Sequence, residues 1–159
     1  MNRLLKAFIA LGAIGCFVLC AQSVSAFTHP LETIILNQDD NQKVLREFHG
    51  VKLGMKRDAV QAAMKSKPEN SSDDSEDYKL TGDDTMTVRY ENGEVRAIQL
   101  AFLEPKNAPA WKDVVGDAEV NELANGARTA RQTLEKEKFW VSIYQNKEGT
   151  MVRITISRI

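Results

Sequence analysis

The chain has 159 residues, 43% hydrophobic and 27% charged, with 21 Lys+Arg against 22 Asp+Glu and a net charge of −1. No basic block stands out, which argues against a nucleic-acid or anionic-membrane binder. Both cysteines, Cys16 and Cys20, fall in an apolar N-terminal stretch. A chain cleaved after that stretch has no disulfide, no thiol nucleophile and no Cys-ligated metal.

Arg3 and Lys6 precede an uncharged run from Ala7 to Ala21, and Val24-Ser25-Ala26 suits signal peptidase. The pattern predicts a cleavable secretory signal peptide over residues 1–26, cut after Ala26. A run of about 15 apolar residues is short against the roughly 20 that span a bilayer. Ala13-Ile14-Gly15-Cys16 loosely matches a lipobox, but Ala13 replaces the usual Leu, and Phe17, Val18 and Leu19 replace a polar tether. A lipid anchor at Cys16 is therefore not expected, and the address is periplasmic or secreted. The mature chain of about 133 residues would carry 19 Lys+Arg against 22 Asp+Glu, net −3. That length can bury roughly two-thirds of its unfolded surface without disulfides. Residues 27–47 are read as an N-terminal segment and 48–159 as one domain, with halves at about 48–104 and 110–159.

Leu31, Ile34 and Ile35 trace one face of a short helix between Phe27 and Asn41. Val44, Leu45 and Phe48 have helical spacing over Gln42 to Phe48, and Phe48 to Met55 alternates as a short strand. Lys56 to Lys67 predicts a helix. Asp58 meets the positive end of its dipole, Val60, Ala63 and Met64 form its buried stripe, and Pro68 ends it. Glu69 to Asp77 reads as a solvated acidic loop. It lacks the glycine at position six and the final Glu of a calcium loop, so no metal is assigned.

Met86, Val88 and Tyr90 alternate with Thr87 and Arg89, and Ile98, Leu100 and Phe102 with Gln99 and Ala101. These predict a hairpin. A two-residue Asn92-Gly93 turn would set Val88 opposite Ala97 and throw Ile98 and Leu100 onto the wrong face. A three-residue loop, Glu91 to Gly93, keeps even numbers facing even, with Gly93 left-handed. Pro105 and Pro109 separate the two halves. Val120, Leu123, Ala124, Ala127, Ala130 and Leu134 follow the 3.6 period and predict an amphipathic helix from Asp117 to Lys136. Asn125-Gly126 is its weak point.

Two strands, Phe139 to Tyr144 and Met151 to Ser157, close the chain. A four-residue loop, Asn146 to Gly149, pairs Ile143 with Val152, Val141 with Ile154 and Phe139 with Ile156, all on one face. The expected fold class is thus α+β: helices on one face of an antiparallel sheet of about four strands, as two helix–hairpin halves. The turns at Tyr90-Glu91-Asn92-Gly93 and Tyr144-Gln145-Asn146 are weakly alike. A duplication explains this, and so does shared turn chemistry.

Leu53-Gly54-Met55-Lys56-Arg57-Asp58-Ala59-Val60, with a Pro-terminated helix and a hairpin after it, resembles the SmpA/OmlA family of small envelope lipoproteins and the related β-lactamase-inhibitor-protein-like fold. The likeness covers roughly Phe48 to Phe102. The family usually has Ser or Thr where Lys56 stands and Gly-x-Pro where Ser66-Lys67-Pro68 stands, and no lipid-bearing Cys opens the predicted mature chain. The resemblance implies a bacterial envelope address, and either an accessory factor or a soluble inhibitor of a secreted hydrolase.

Catalytic chemistry finds little footing. His29 and His49 have no His or Cys two or four residues away, and neither His-Glu-x-x-His nor Gly-x-Ser-x-Gly occurs. No catalytic residue, cofactor or metal is assigned, and an enzyme using His49 as base is a third alternative. If Phe139, Val141 and Ile143 face the core, the reverse face shows Trp140, Ser142 and Tyr144, with Met151, Arg153 and Thr155 beside them. The first hairpin adds Thr87, Arg89, Ala97 and Gln99. Trp, Tyr, Met and Arg are enriched at interface centres. Such aromatics also form plain cross-strand pairs, or could be covered by the segment around Ile34 to Leu36. The expected function is an exported non-catalytic binding protein that takes a protein partner through Trp140, Tyr144, Arg153, Met151, Arg89 and Gln99.

Overall fold

Ten strands and two short helices make up the computed structural model, which describes residues 43–159. The expected leader with its cut after Ala26, Cys16, His29 and the Phe27–Asn41 segment lie outside the described residues. β1 (Glu47–Phe48) and β2 (Val51–Lys52) form a small hairpin, followed by α1 (Arg57–Met64). Then come β3 (Asn70–Ser71), β4 (Ser75–Lys79), β5 (Thr85–Glu91) and β6 (Glu94–Phe102). A 3-10 turn (Pro105–Asn107) and α2 (Trp111–Val115) lead into β7 (Asn121–Glu122), β8 (Arg128–Leu134), β9 (Phe139–Gln145) and β10 (Val152–Arg158). β3 to β10 form one antiparallel sheet in the order β3-β4-β5-β6-β10-β9-β8-β7.

The fold is therefore mainly antiparallel β, not the α+β arrangement of helices on about four strands that the hydrophobic pattern suggests. Two segments account for most of the difference. The acidic stretch is not a loop throughout, because it supplies β3 and the start of β4. The expected helix from Asp117 to Lys136 is instead the β7–β8 hairpin. Gly126 adopts φ +80°, and its N–H donates to the Leu123 carbonyl at 2.8 Å. The Leu123 N–H donates to the Ala127 carbonyl at 2.8 Å, and the Asn125 Oδ1 accepts from the Ala127 N–H at 3.0 Å. Those groups are spent on a turn, and β8 gains a ladder to β9 from Arg128↔Gln145 to Leu134↔Phe139. Ala127, Ala130 and Leu134 are buried as expected, but Val120 and Leu123 are 40% and 41% exposed, so the helical stripe never forms.

Smaller corrections follow the same logic. Lys43 to Arg46 are not helical; the Leu45 N–H instead donates to the Val114 carbonyl at 3.0 Å. α1 stops at Lys65, in the left-handed region at φ +55°, three residues before Pro68. In the β5–β6 hairpin the turn is the two-residue one, Asn92-Gly93, with φ of +53° and +75°. A bulge at Arg96 then restores even-to-even pairing: Tyr90 faces Val95, but Arg89 faces Ala97 and Val88 faces Ile98. In the β9–β10 hairpin the register lies two residues from the expected one, with Ile143↔Ile154 and Val141↔Ile156. A shift of two leaves every side chain on its expected face. The Asn146 side chain holds the longer loop, accepting from the Met151 N–H at 2.9 Å and donating to Thr150 Oγ1 at 2.9 Å.

One face of the sheet carries the core: Tyr78, Met86, Val88, Ile98, Leu100, Val141, Ile143, Ile154 and Ile156. Val51, Val60, Val114 and Val115, from the β1–β2 hairpin and both helices, join the same cluster. The strand order is palindromic about the β6·β10 seam, each half being a short helix followed by a four-strand meander. The two tyrosines of the similar turns are not equivalents, since Tyr90 is buried with the core and Tyr144 faces the other way beside Arg153.

Candidate functional site

The face opposite the core is an ordered grid, because strand pairing sets side chains of successive strands side by side. One row across β4, β5, β6, β10, β9 and β8 reads Ser75, Arg89, Ala97, Ser157, Trp140, Thr133. The next reads Asp77, Thr87, Gln99, Thr155, Ser142, Arg131, and the third Lys79, Thr85, Ala101, Arg153, Tyr144, Thr129. In the first row the two middle strands carry the small residues Ala97 and Ser157, whereas in the third Arg153 stands on β10 itself. In the first row Arg89 and Trp140 are three strand spacings apart, about 14 Å, over a floor of Ala97 and Ser157.

Two shallow hollows result. One of about 390 Å³ is lined by Asp74, Arg89, Tyr90, Arg96, Ala97, Gln99, Trp140, Thr155 and Ser157. Its neighbour, about 280 Å³, is lined by Thr85, Thr87, Gln99, Leu100, Ala101 and Arg153. Gln99 belongs to both. Five of the six residues expected from the sequence (Trp140, Tyr144, Arg153, Arg89 and Gln99) thus share one face. Met151 is not on a strand; it lies in the β9–β10 loop, two residues before Arg153.

Arg131 is the main residue that sequence reasoning missed. Its guanidinium lies 4.2 Å from the centre of the Trp140 ring, a distance suited to a cation–π contact. The segment holding it read as a helix, so its place beside Trp140 was hidden. Asp77 was hidden in the supposed acidic loop; its carboxylate accepts a 2.7 Å hydrogen bond from Thr87 Oγ1.

A buried polar cluster backs one end of this face from the core side. Glu76 is fully buried and accepts hydrogen bonds from Tyr90 Oη (2.6 Å), Tyr78 Oη (2.7 Å) and Gln61 Nε2 (2.7 Å). Arg57 lies 3.7 Å from its carboxylate and stacks 4.4 Å from the Tyr90 ring centre. Burial alone would push the carboxyl up, but the bonds from Tyr90, Tyr78 and Gln61 and the Arg57 charge hold it below its usual value. Burial, and then the hydrogen bond to the carboxylate, push both tyrosine hydroxyls far up. Arg57 also donates to the carbonyls of Ser72 and Asp73, at 2.8 and 2.7 Å, clamping the β3–β4 turn onto α1. This cluster ties α1, β4 and β5 together.

His49 sits exposed in the β1–β2 turn at φ +51°, its ring 4.5 Å from that of Phe48. It is on a different part of the chain from the grid. Comparison with protein-family models, with curated proteins and with solved structures returned no match.

Proposed function

We propose that this is an exported, non-catalytic binding protein that takes another envelope or secreted protein against the grid face of its sheet. The observation that carries the reading is the layout of that face. Trp140 and Arg89 flank a low floor of Ala97, Ser157, Gln99 and Thr155 rather than a deep, enclosed cleft. A low floor between aromatic and arginine side chains suits a protein surface, where a few anchors carry most of the energy. The export half of the proposal rests on the leader, with its cut after Ala26.

The test is capture. The purified protein is immobilised beside a Trp140→Ala/Tyr144→Ala variant of matched melting temperature, and both are exposed to envelope and secreted fractions. A protein held only by the parent supports the reading and identifies the partner. Equal retention by both removes the grid face from consideration. An isolated hydrolase that loses activity on capture would make the protein an inhibitor.

A further inference from the structure

Arginines elsewhere in the described structure are engaged internally. Arg46 pairs with Glu137, Arg57 with Glu76, Arg96 with Glu91 and Arg158 with Glu94, while Arg128 stacks on Trp111. On the grid Arg131 stacks on Trp140 in the same way, whereas Arg89 and Arg153 have no such partner among the described residues. Arg89, Arg131 and Arg153 are exposed, and among the described residues none has a carboxylate partner. With Lys79 they set four cations against two carboxylates, Asp77 in the grid and Asp74 at the edge of the hollow beside Arg89, although the whole chain is net negative. The imbalance is local to the face.

Resting on the binding reading above, we infer that the occupant of the β6·β10 trough is an extended acidic polypeptide segment, with carboxylates four residues apart. The spacing comes from the grid. Arg89 on β5 stands in the row of Ala97 and Arg153 on β10 in the row of Ala101, so the two are four residues, about 13 Å, apart along β6 and two strand spacings, about 10 Å, apart across it. In an extended segment the side chains at i and i+4 span the same length along the strand direction and project to the same side, and the reach of the Arg and Glu side chains takes up the lateral offset. Glutamates there meet Arg89 at one end and Arg153 at the other, each as a charge-assisted pair. Between them Gln99 and Thr155 offer polar groups to the segment, and Trp140 and Tyr144 flank it. The charge pattern favours a short acidic segment over a polyanion. A nucleic acid or anionic polysaccharide would approach a net-negative molecule, whereas a segment with two carboxylates is selected by contacts at short range.

The probe is a capped nonapeptide of Ser and Tyr with Glu at positions 3 and 7, titrated into the isotope-labelled protein and followed by amide shifts. Partners carry Gln or Lys at both positions. The expected result is shifts along β6 and β10, with the Gln peptide at least tenfold weaker and the Lys peptide weaker still. An Arg89→Gln/Arg153→Gln variant with unchanged melting should erase the difference between the Glu and Gln peptides. Equal binding of Glu and Gln peptides, a preference for Lys, shifts away from β6 and β10, or a difference that survives in the variant overturns the inference. So does heparin moving the same amides at lower concentration than the Glu peptide, which would assign the face to a polysaccharide. A partner captured through Trp140 and Tyr144 but indifferent to both arginines would leave the binding reading standing and sink only this one.

Discussion

At Glu76 a single carboxylate joins three elements that hydrophobic packing alone would leave loosely related. Removing its side chain strands two tyrosine hydroxyls, an amide and the Arg57 charge, all in a site where Glu76 itself is fully buried. Breaking such a network costs about 3–5 kcal/mol, so Glu76→Ala should lower stability by that order in urea melts at neutral pH. The pH dependence follows in sign. Glu76 is held below its unfolded value of about 4.3, so its stabilisation is present above that value and is lost as pH falls through the folded one. Asp84 behaves likewise. Burial opposes its charge, but the Asn107 side chain and the backbone N–H groups of Glu104 and Leu103 outweigh it. Melts from neutral pH downwards should show stability falling below about pH 4, more shallowly in Glu76→Gln. An acid limb with the same slope in that variant would remove Glu76 as its source. None of this is legible in Glu69 to Asp77, because a charged residue can take a core position only where partners from distant elements meet it.

Turns carry the argument at the scale of the element. Gly93 (φ +75°) has nothing near where a Cβ would stand, whereas Gly126 (φ +80°) has the Lys147 side chain 3.2 Å away. Gly93→Ala should therefore cost only the left-handed strain, about 1–2 kcal/mol. Gly126→Ala should cost at least as much, and a negligible loss at either position in thermal melts would refute the turn assignment there. The β8 segment tests how far tertiary pairing overrides local pattern. A peptide of residues 117–136, cut off from β9, should take up helical signal in trifluoroethanol, following its apolar period. In the intact protein alternate amides of Arg128 to Leu134, those that face β9, should exchange slowly as ladder members. A peptide with no helical tendency would mean the periodicity carried no information.

The β6·β10 seam joins the halves at the scale of the molecule. Ile98, Leu100 and Phe102 lie beside Ile156, Ile154 and Val152, all buried, so neither half can close its core alone. Residues 43–104 and 105–159 expressed separately should each lack sharp amide spectra and should regain them on mixing. Two independently folded halves would contradict a shared core. The same seam is the floor of the proposed trough, so a gain in its rigidity on binding should appear as slower exchange of β6 and β10 amides.

Alternation is a local property, and it is where the sequence by itself determined most. The core and grid faces of β5, β6, β9 and β10 follow from period two, which puts Trp140, Tyr144, Arg153, Arg89 and Gln99 on the outward faces of their two hairpins. α1 and the left-handed Gly93 were equally local. Register is not local. The two-residue offset at β9–β10, the bulge at Arg96, the conversion of a helical period into β8 beside Trp140 and the burial of Glu76 all depend on which strand lies alongside. Only the tertiary structure decided them, because a hydrogen-bond ladder and a desolvated charge are stabilised by partners that no window of neighbouring residues contains.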